Sequence, residues 1–152
     1  MKLAEALILR ADAQKHVAQL RQRLTRSARV QEGEQPPEDP QELLAELEAT
    51  TRELVRLIQQ INHTNSITPF QEAMLSDALA TRDVLRLKRG SYEGLINAAT
   101  ISQDRYMRSE LRFVSTVNVA ELQQTIDQLS RDYRELDAQI QALNWATDLI
   151  ES

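Results

Sequence analysis

A chain of 152 residues with 41% hydrophobic content can bury a sizeable core, and a single domain spanning residues 1–152 is expected. Its net charge of −5 disfavours non-specific binding to nucleic acid or anionic membranes, both of which select basic faces. The lack of cysteine excludes disulfides, thiolate catalysis and thiolate metal sites.

The amino-terminal stretch MKLAEALILRADAQKH carries Glu5, Arg10 and Asp12. Its uncharged run is too short for a secretory signal or a membrane span, so a cytoplasmic location is expected. The first helix is predicted from about Lys2 to Ala28, with Leu3, Leu7, Val17, Leu20 and Leu24 on its buried stripe. Arg10 stands where that stripe needs an apolar residue. Either its stem packs while its head reaches a carboxylate or solvent, or it serves a ligand or an interface. Arg21, Arg23, Arg26 and Arg29 then crowd the helix end, and the acidic, Pro-rich connection over about 30–40 supplies Glu32, Glu34, Glu38 and Asp39. These two charge blocks can fold back on each other or join neighbouring subunits.

Asp39-Pro40-Gln41-Glu42 has the residue types of a helix start, an Asp cap followed by Pro at the first helical position. The second helix carries Leu44, Leu47, Thr51, Leu54, Ile58 and Ile61 in three-four alternation, widened by Leu43, Val55 and Leu57, and should end near Asn62–Asn65. Thr68-Pro69-Phe70-Gln71 repeats the start signal, so the third helix is predicted from near Pro69, with Ser76 as the alternative. Leu75, Ala78, Leu85, Tyr92, Leu95 and Ile96 give it apolar contacts, with Arg82 and Arg89 near the same face. Gly90 and Gly94 lie one turn apart. Each costs roughly 1 kcal/mol against Ala in a helix, which favours a close helix crossing at that point.

Residues 102–118 leave the helical pattern. Ser102-Gln103-Asp104 reads as a turn, and Leu111, Phe113, Ser115 and Val117 alternate with Glu110, Arg112, Val114 and Thr116. An extended segment of this kind needs a pairing edge, from the Ala28–Glu34 region or a second chain. Asn118 and Glu121 then box the start of the last helix. That helix has the cleanest stripe: Val119, Leu122, Ile126, Leu129, Tyr133, Leu136, Ile140 and Leu143. Trp145 is expected to pack on its end. The fold expected is all-α, an antiparallel bundle of four long helices with a short extended or hairpin-like segment between helices 3 and 4.

Chemistry is sparse. Asp12 and His16 share a helix face with Glu5. No Glu-x-x-His occurs, however, and carboxylate-bridged metal bundles need two. The pair reads as a surface interaction, and no metal or cofactor is expected. His63, beside a helix end, reads as a cap or a solvated residue. No nucleophile elbow, phosphate loop or dinucleotide fingerprint is present, so no catalytic residue is assigned and no enzyme is expected. Asp104, Arg105, Tyr106, Arg108 and Glu110 form the densest polar patch outside the helices. With Arg10 and Arg82 they are the candidates for an interface or ion-pair network. A basic stripe from residues 21–29 with Arg105, Arg108 and Arg112 beside Tyr106 and Phe113 has the composition of a single-strand binder. The acidic residues 32–39 oppose it, and no nucleic-acid partner is expected.

The stretches KLAEALILRADAQK, ARVQEGEQPPEDPQELL, INHTN, ALATRDVLR, QDRYMRSELRFVSTV and YRELDAQIQALNW cover most of the chain. On them the sequence resembles the septicolysin-like family of small bacterial proteins, which implies a haemolytic, pore-forming cytolysin and no assigned active site. A pore former needs an element that can face lipid, whereas these stripes are consumed by helix packing. The residues themselves favour a non-enzymatic, self-associating helical protein acting through protein partners, with membrane contact expected only of the cytolysin.

Overall fold

The computed structural model of the chain describes residues 1–100 and 111–152. Among them are four helices, α1 (Leu3–Ser27), α2 (Pro40–Ile67), α3 (Leu75–Thr100) and α4 (Val119–Ala146), and a two-stranded hairpin, β1 (Pro69–Phe70) with β2 (Ala73–Met74). The fold is all-α with a short extended element. The described residues cluster into two compact units, Met1–Ser76 with Gln141–Ser152, and Asp77–Ile140.

In the first unit α1 and α2 pack as an antiparallel pair, with Arg23 near the end of α1 meeting Glu38 before α2, and His16 meeting Glu46 in the second turn of α2. Each helix starts where its side chains supply an acceptor for the unpaired amides of a first turn. Glu5 accepts from the Lys2 N–H at 2.6 Å, and Asp39 accepts from Gln41 N–H at 2.9 Å. The same device starts α4, where Asn118 accepts from Glu121 N–H at 3.2 Å.

The buried seam of α2 runs Leu43, Leu47, Thr50, Leu54, Leu57, Ile61 and Thr64, every one buried or half-buried. It is rotated from the expected stripe, which has Leu44 exposed. The facing seam of α1 is Leu3, Ala6, Arg10, Ala13, Val17, Leu20, Leu24 and Ser27, again in three-four alternation. Both seams sit on spacings that fit a helix pair, and Thr64 extends the second one because its hydroxyl can donate to the Gln60 carbonyl at 2.8 Å. With that seam continuing, α2 reaches Ile67 rather than ending at Asn62–Asn65.

The chain's two ends close this unit. Leu3 N–H donates to the Thr147 carbonyl and Leu149 N–H to the Met1 carbonyl, both at 2.9 Å, forming a bridge between Lys2 and Asp148. Ile150 N–H donates to Thr64 Oγ1 at 3.0 Å, and Leu149 is buried. Trp145, expected to pack inward, is instead 55% exposed, because the seam of α4 turns Asn144 to the interior.

Helix α3 begins at Leu75, one residue before the alternative start at Ser76 and not near Pro69. A residue before proline is pushed out of the helical region, and Thr68 is extended at φ −79°, ψ 119°. Pro69–Phe70 then pairs with Ala73–Met74 across a turn in which Gln71 takes the left-handed φ of 53°. The β-ladder thus lies between α2 and α3. The connection between α3 and α4 is non-helical over its described residues 111–118, which form no strand; the remainder, 101–110, lies outside the described residues.

In the second unit α3 and α4 run antiparallel, Arg82 meeting Asp137 and Arg86 meeting Tyr133. All eight residues of the α4 stripe predicted from the sequence are buried or half-buried. Among the described residues nothing forms the close crossing expected at Gly90 and Gly94. A Cβ built on either glycine would meet nothing within 4 Å among the described residues. Gly90→Ala and Gly94→Ala are therefore each expected to raise stability by roughly 0.5–1 kcal/mol, through helix propensity alone. Thermal unfolding of the two variants checks this, and a loss at either position would place a neighbour over it.

Candidate functional site

Of the sequence candidates, Arg82 is drawn into the most developed polar network. Arg82, Arg86 and Arg89 stand at i, i+4 and i+7 on α3, which brings three guanidinium groups to one face. Facing them on α4 are Tyr133 and Asp137, also four apart. Arg82 Nη1 donates to Asp137 Oδ1 at 2.9 Å, and both side chains are partly buried. Its Nε is buried and lacks a hydrogen-bond partner among the described residues. Arg86 donates to the Tyr133 hydroxyl, a bond that raises the guanidinium pKa and so favours its charged form. The Arg86 and Arg89 guanidinium carbons each lie 5.4 Å from the Tyr133 ring centroid, so the ring carries two cation–π contacts. Arg89 is also 3.7 Å from Glu93.

Among the described residues this network offers three guanidinium groups and a phenol, with Asp83, Asp137 and Glu93 paired to the guanidinium groups. Its geometry fixes the register of α3 on α4. Tyr133 and Asp137 were invisible as partners in the sequence, where Tyr133 reads only as one more residue of an apolar stripe.

Arg10 lies half-buried in the α1 seam, with no ion pair among the described residues. Asp104, Arg105, Tyr106, Arg108 and Glu110 fall within 101–110, outside the described residues. The charge blocks around the first connection do meet. Arg23 binds Glu38 in a bidentate fork, Nε donating to Oε2 at 2.9 Å and Nη2 to Oε1 at 2.5 Å. That hydrogen bond holds the Glu38 carboxyl below the ordinary carboxylate range. The pair's contribution is therefore full at neutral pH and fades as the pH falls through that lowered value. The blocks fold back within one chain here, and Gly33 at φ 90° supplies the turn between them.

His16 is committed across the helix pair, its Nε2 lying 2.8 Å from Glu46 Oε1. Among the described residues no group of three or more His, Asp or Glu side chains is placed to hold a metal ion, and no helix is long and apolar enough to cross a membrane.

A solved structure is similar to the chain throughout: a functionally unknown conserved protein from Corynebacterium diphtheriae. It is 46% identical, covers 99% of each chain and superposes with a TM-score of 0.89. No curated protein matches the chain. The resemblance to the septicolysin-like family is corrected by the family model that does match, which spans residues 10–149. Among the described residues, the stretches that carried it are helix caps, packing seams, a Pro-rich connection and the non-helical run 111–117. Folding alone asks for such residues, and none of them marks a chemistry. The chain belongs to the family of unknown function DUF6847.

Proposed function

We propose that the protein works without catalysis, through protein–protein contacts, and first of all by association with copies of itself. One observation carries this reading. Within Asp77–Ile140 the buried apolar residues among those described are Ala78, Ile126, Leu129 and Ile140. In the same unit Val84, Leu87, Leu95, Leu111, Phe113 and Val114 stay exposed, Leu87 at 71% and Phe113 at 72%. A unit that exposes more large apolar side chains than it buries has the surface of a partner-binding body. Isolated exposed leucines are ordinary, but Val84 and Leu87 stand one turn apart on a single helix face, with Leu95 two turns beyond Leu87.

Native mass spectrometry with sedimentation velocity over a range of concentrations tests this. A single closed oligomer of bare polypeptide is the expected result. A monomer at every concentration overturns self-association, and a stoichiometric non-protein mass retained on the chain overturns the non-catalytic reading.

A further inference from the structure

Three of the open hollows along the helices differ in the side chains that line them. One, of about 560 Å³, is bounded by Ala18, Arg21, Gln22, Thr25 and Arg26. A second, of about 420 Å³, lies along α3 beside Val84, Leu85 and Lys88. Both carry cationic side chains. The third, of about 350 Å³, is formed by Met1, Glu5, Ile8 and Leu9 at the start of α1. Ile8 and Leu9 are exposed there; Glu5, which also accepts from the Lys2 N–H, and Asp12, seven residues on and outside the lining, put two carboxylates on the same face, and the Met1 ammonium at the hollow is paired with Glu151 at 3.4 Å.

The chain also holds a segment of the complementary kind. Arg112, Phe113 and Val114 lie on the non-helical run before α4, with Phe113 at 72% and Val114 at 80% exposure. An exposed aromatic next to a guanidinium is the composition of an interface anchor. Such an anchor gains most where an apolar hollow is rimmed by carboxylates, and it is opposed where the rim is basic.

Building on the self-association reading above, we propose that Arg112–Val114 of one copy docks on the amino-terminal face of α1 in a second copy. Phe113 fills the Met1–Ile8–Leu9 hollow and Arg112 faces Glu5 and Asp12. The two surfaces differ, so the contact is heterologous. Two copies close it by exchanging segments, and a larger number close it as a ring.

The lack of native cysteine makes the test clean. A chain carrying Val114→Cys is co-expressed with a chain carrying Leu9→Cys, and the product is oxidised and run without reductant. A mixed disulfide-linked dimer is expected, with far less from either variant alone. Adding Phe113→Asp or Arg112→Glu to the first chain should cut the mixed dimer at least several-fold. Wild-type protein that sediments as an oligomer while the mixed pair fails to crosslink overturns the docking and leaves self-association standing. Wild-type protein that is monomeric overturns both. A double variant, Leu9→Cys with Val114→Cys, that closes only within one chain also overturns the docking. Crosslinking indifferent to Phe113→Asp and Arg112→Glu does the same, because chance proximity would then suffice.

Discussion

Leu57→Ala is expected to destabilise the protein by about 2–5 kcal/mol, the range for emptying a well-packed leucine site. Leu57 is 2% exposed and sits in the middle of the α2 seam, between Leu54 and Ile61, with α1 packed against it. Its loss removes buried apolar area and leaves a cavity that the seams cannot easily close, because both helices are held at their ends. Arg23 and Glu38 fix one end; at the other the Lys2–Asp148 bridge ties α1 to the carboxy-terminal tail, whose Ile150 N–H donates to Thr64 Oγ1 of α2. Val55→Ala, two residues away, is the control. Val55 is 54% exposed, and its truncation should stay within about 0.5 kcal/mol of wild type. Urea unfolding of both variants at one fixed protein concentration makes the comparison, since association would otherwise shift apparent stability. Equal costs at the two positions would move the seam of α2 to its other face.

That comparison also marks where sequence reasoning stops. The α2 sequence contains two overlapping three-four alternations, one through Leu44, Thr51 and Ile58, the other through Leu43, Thr50, Leu57 and Thr64. Periodicity supports either, and a partner helix decides. Helix starts were legible because caps are local: Asp39 and Asn118 bind amides two or three residues on. The α4 stripe was legible because it has only one solution. The start of α3 was not, since Pro69 suits the first turn of a helix and a short edge strand equally well. The crossing expected at Gly90 and Gly94 rested on the cost of glycine alone, which says nothing about whether a neighbour is there.

The candidate residues divide in the same way. Arg82 stood out in the sequence as a charge near an apolar face. Its partner Asp137 lies 55 residues away and can be found only once the register of α3 on α4 is known. The exposure of Phe113 and Val114 was equally hidden. Their alternation suggested a strand, whereas the structure leaves them on a non-helical run without a ladder.

Asp137→Ala should cost about 1–3 kcal/mol, below the full penalty for breaking a deeply buried pair because water still reaches both partners. Arg82 is 20% exposed at its side chain and Asp137 33%. Removing the carboxylate leaves the guanidinium only the longer ion pair of Nε with Asp83 at 3.9 Å, and that Nε lacks a hydrogen-bond partner among the described residues. Arg82→Met keeps the packing of the stem and removes the charge, so it should be milder. In that background Asp137→Ala should cost little more than the contacts of one side chain. The double-mutant cycle, read by urea unfolding, isolates the pair. A coupling energy of about 1 kcal/mol or more would place the register of α3 on α4 under the control of this ion pair. Additive effects would assign that register to the Arg86–Tyr133–Arg89 stack instead, and Tyr133→Leu would then be the costly substitution.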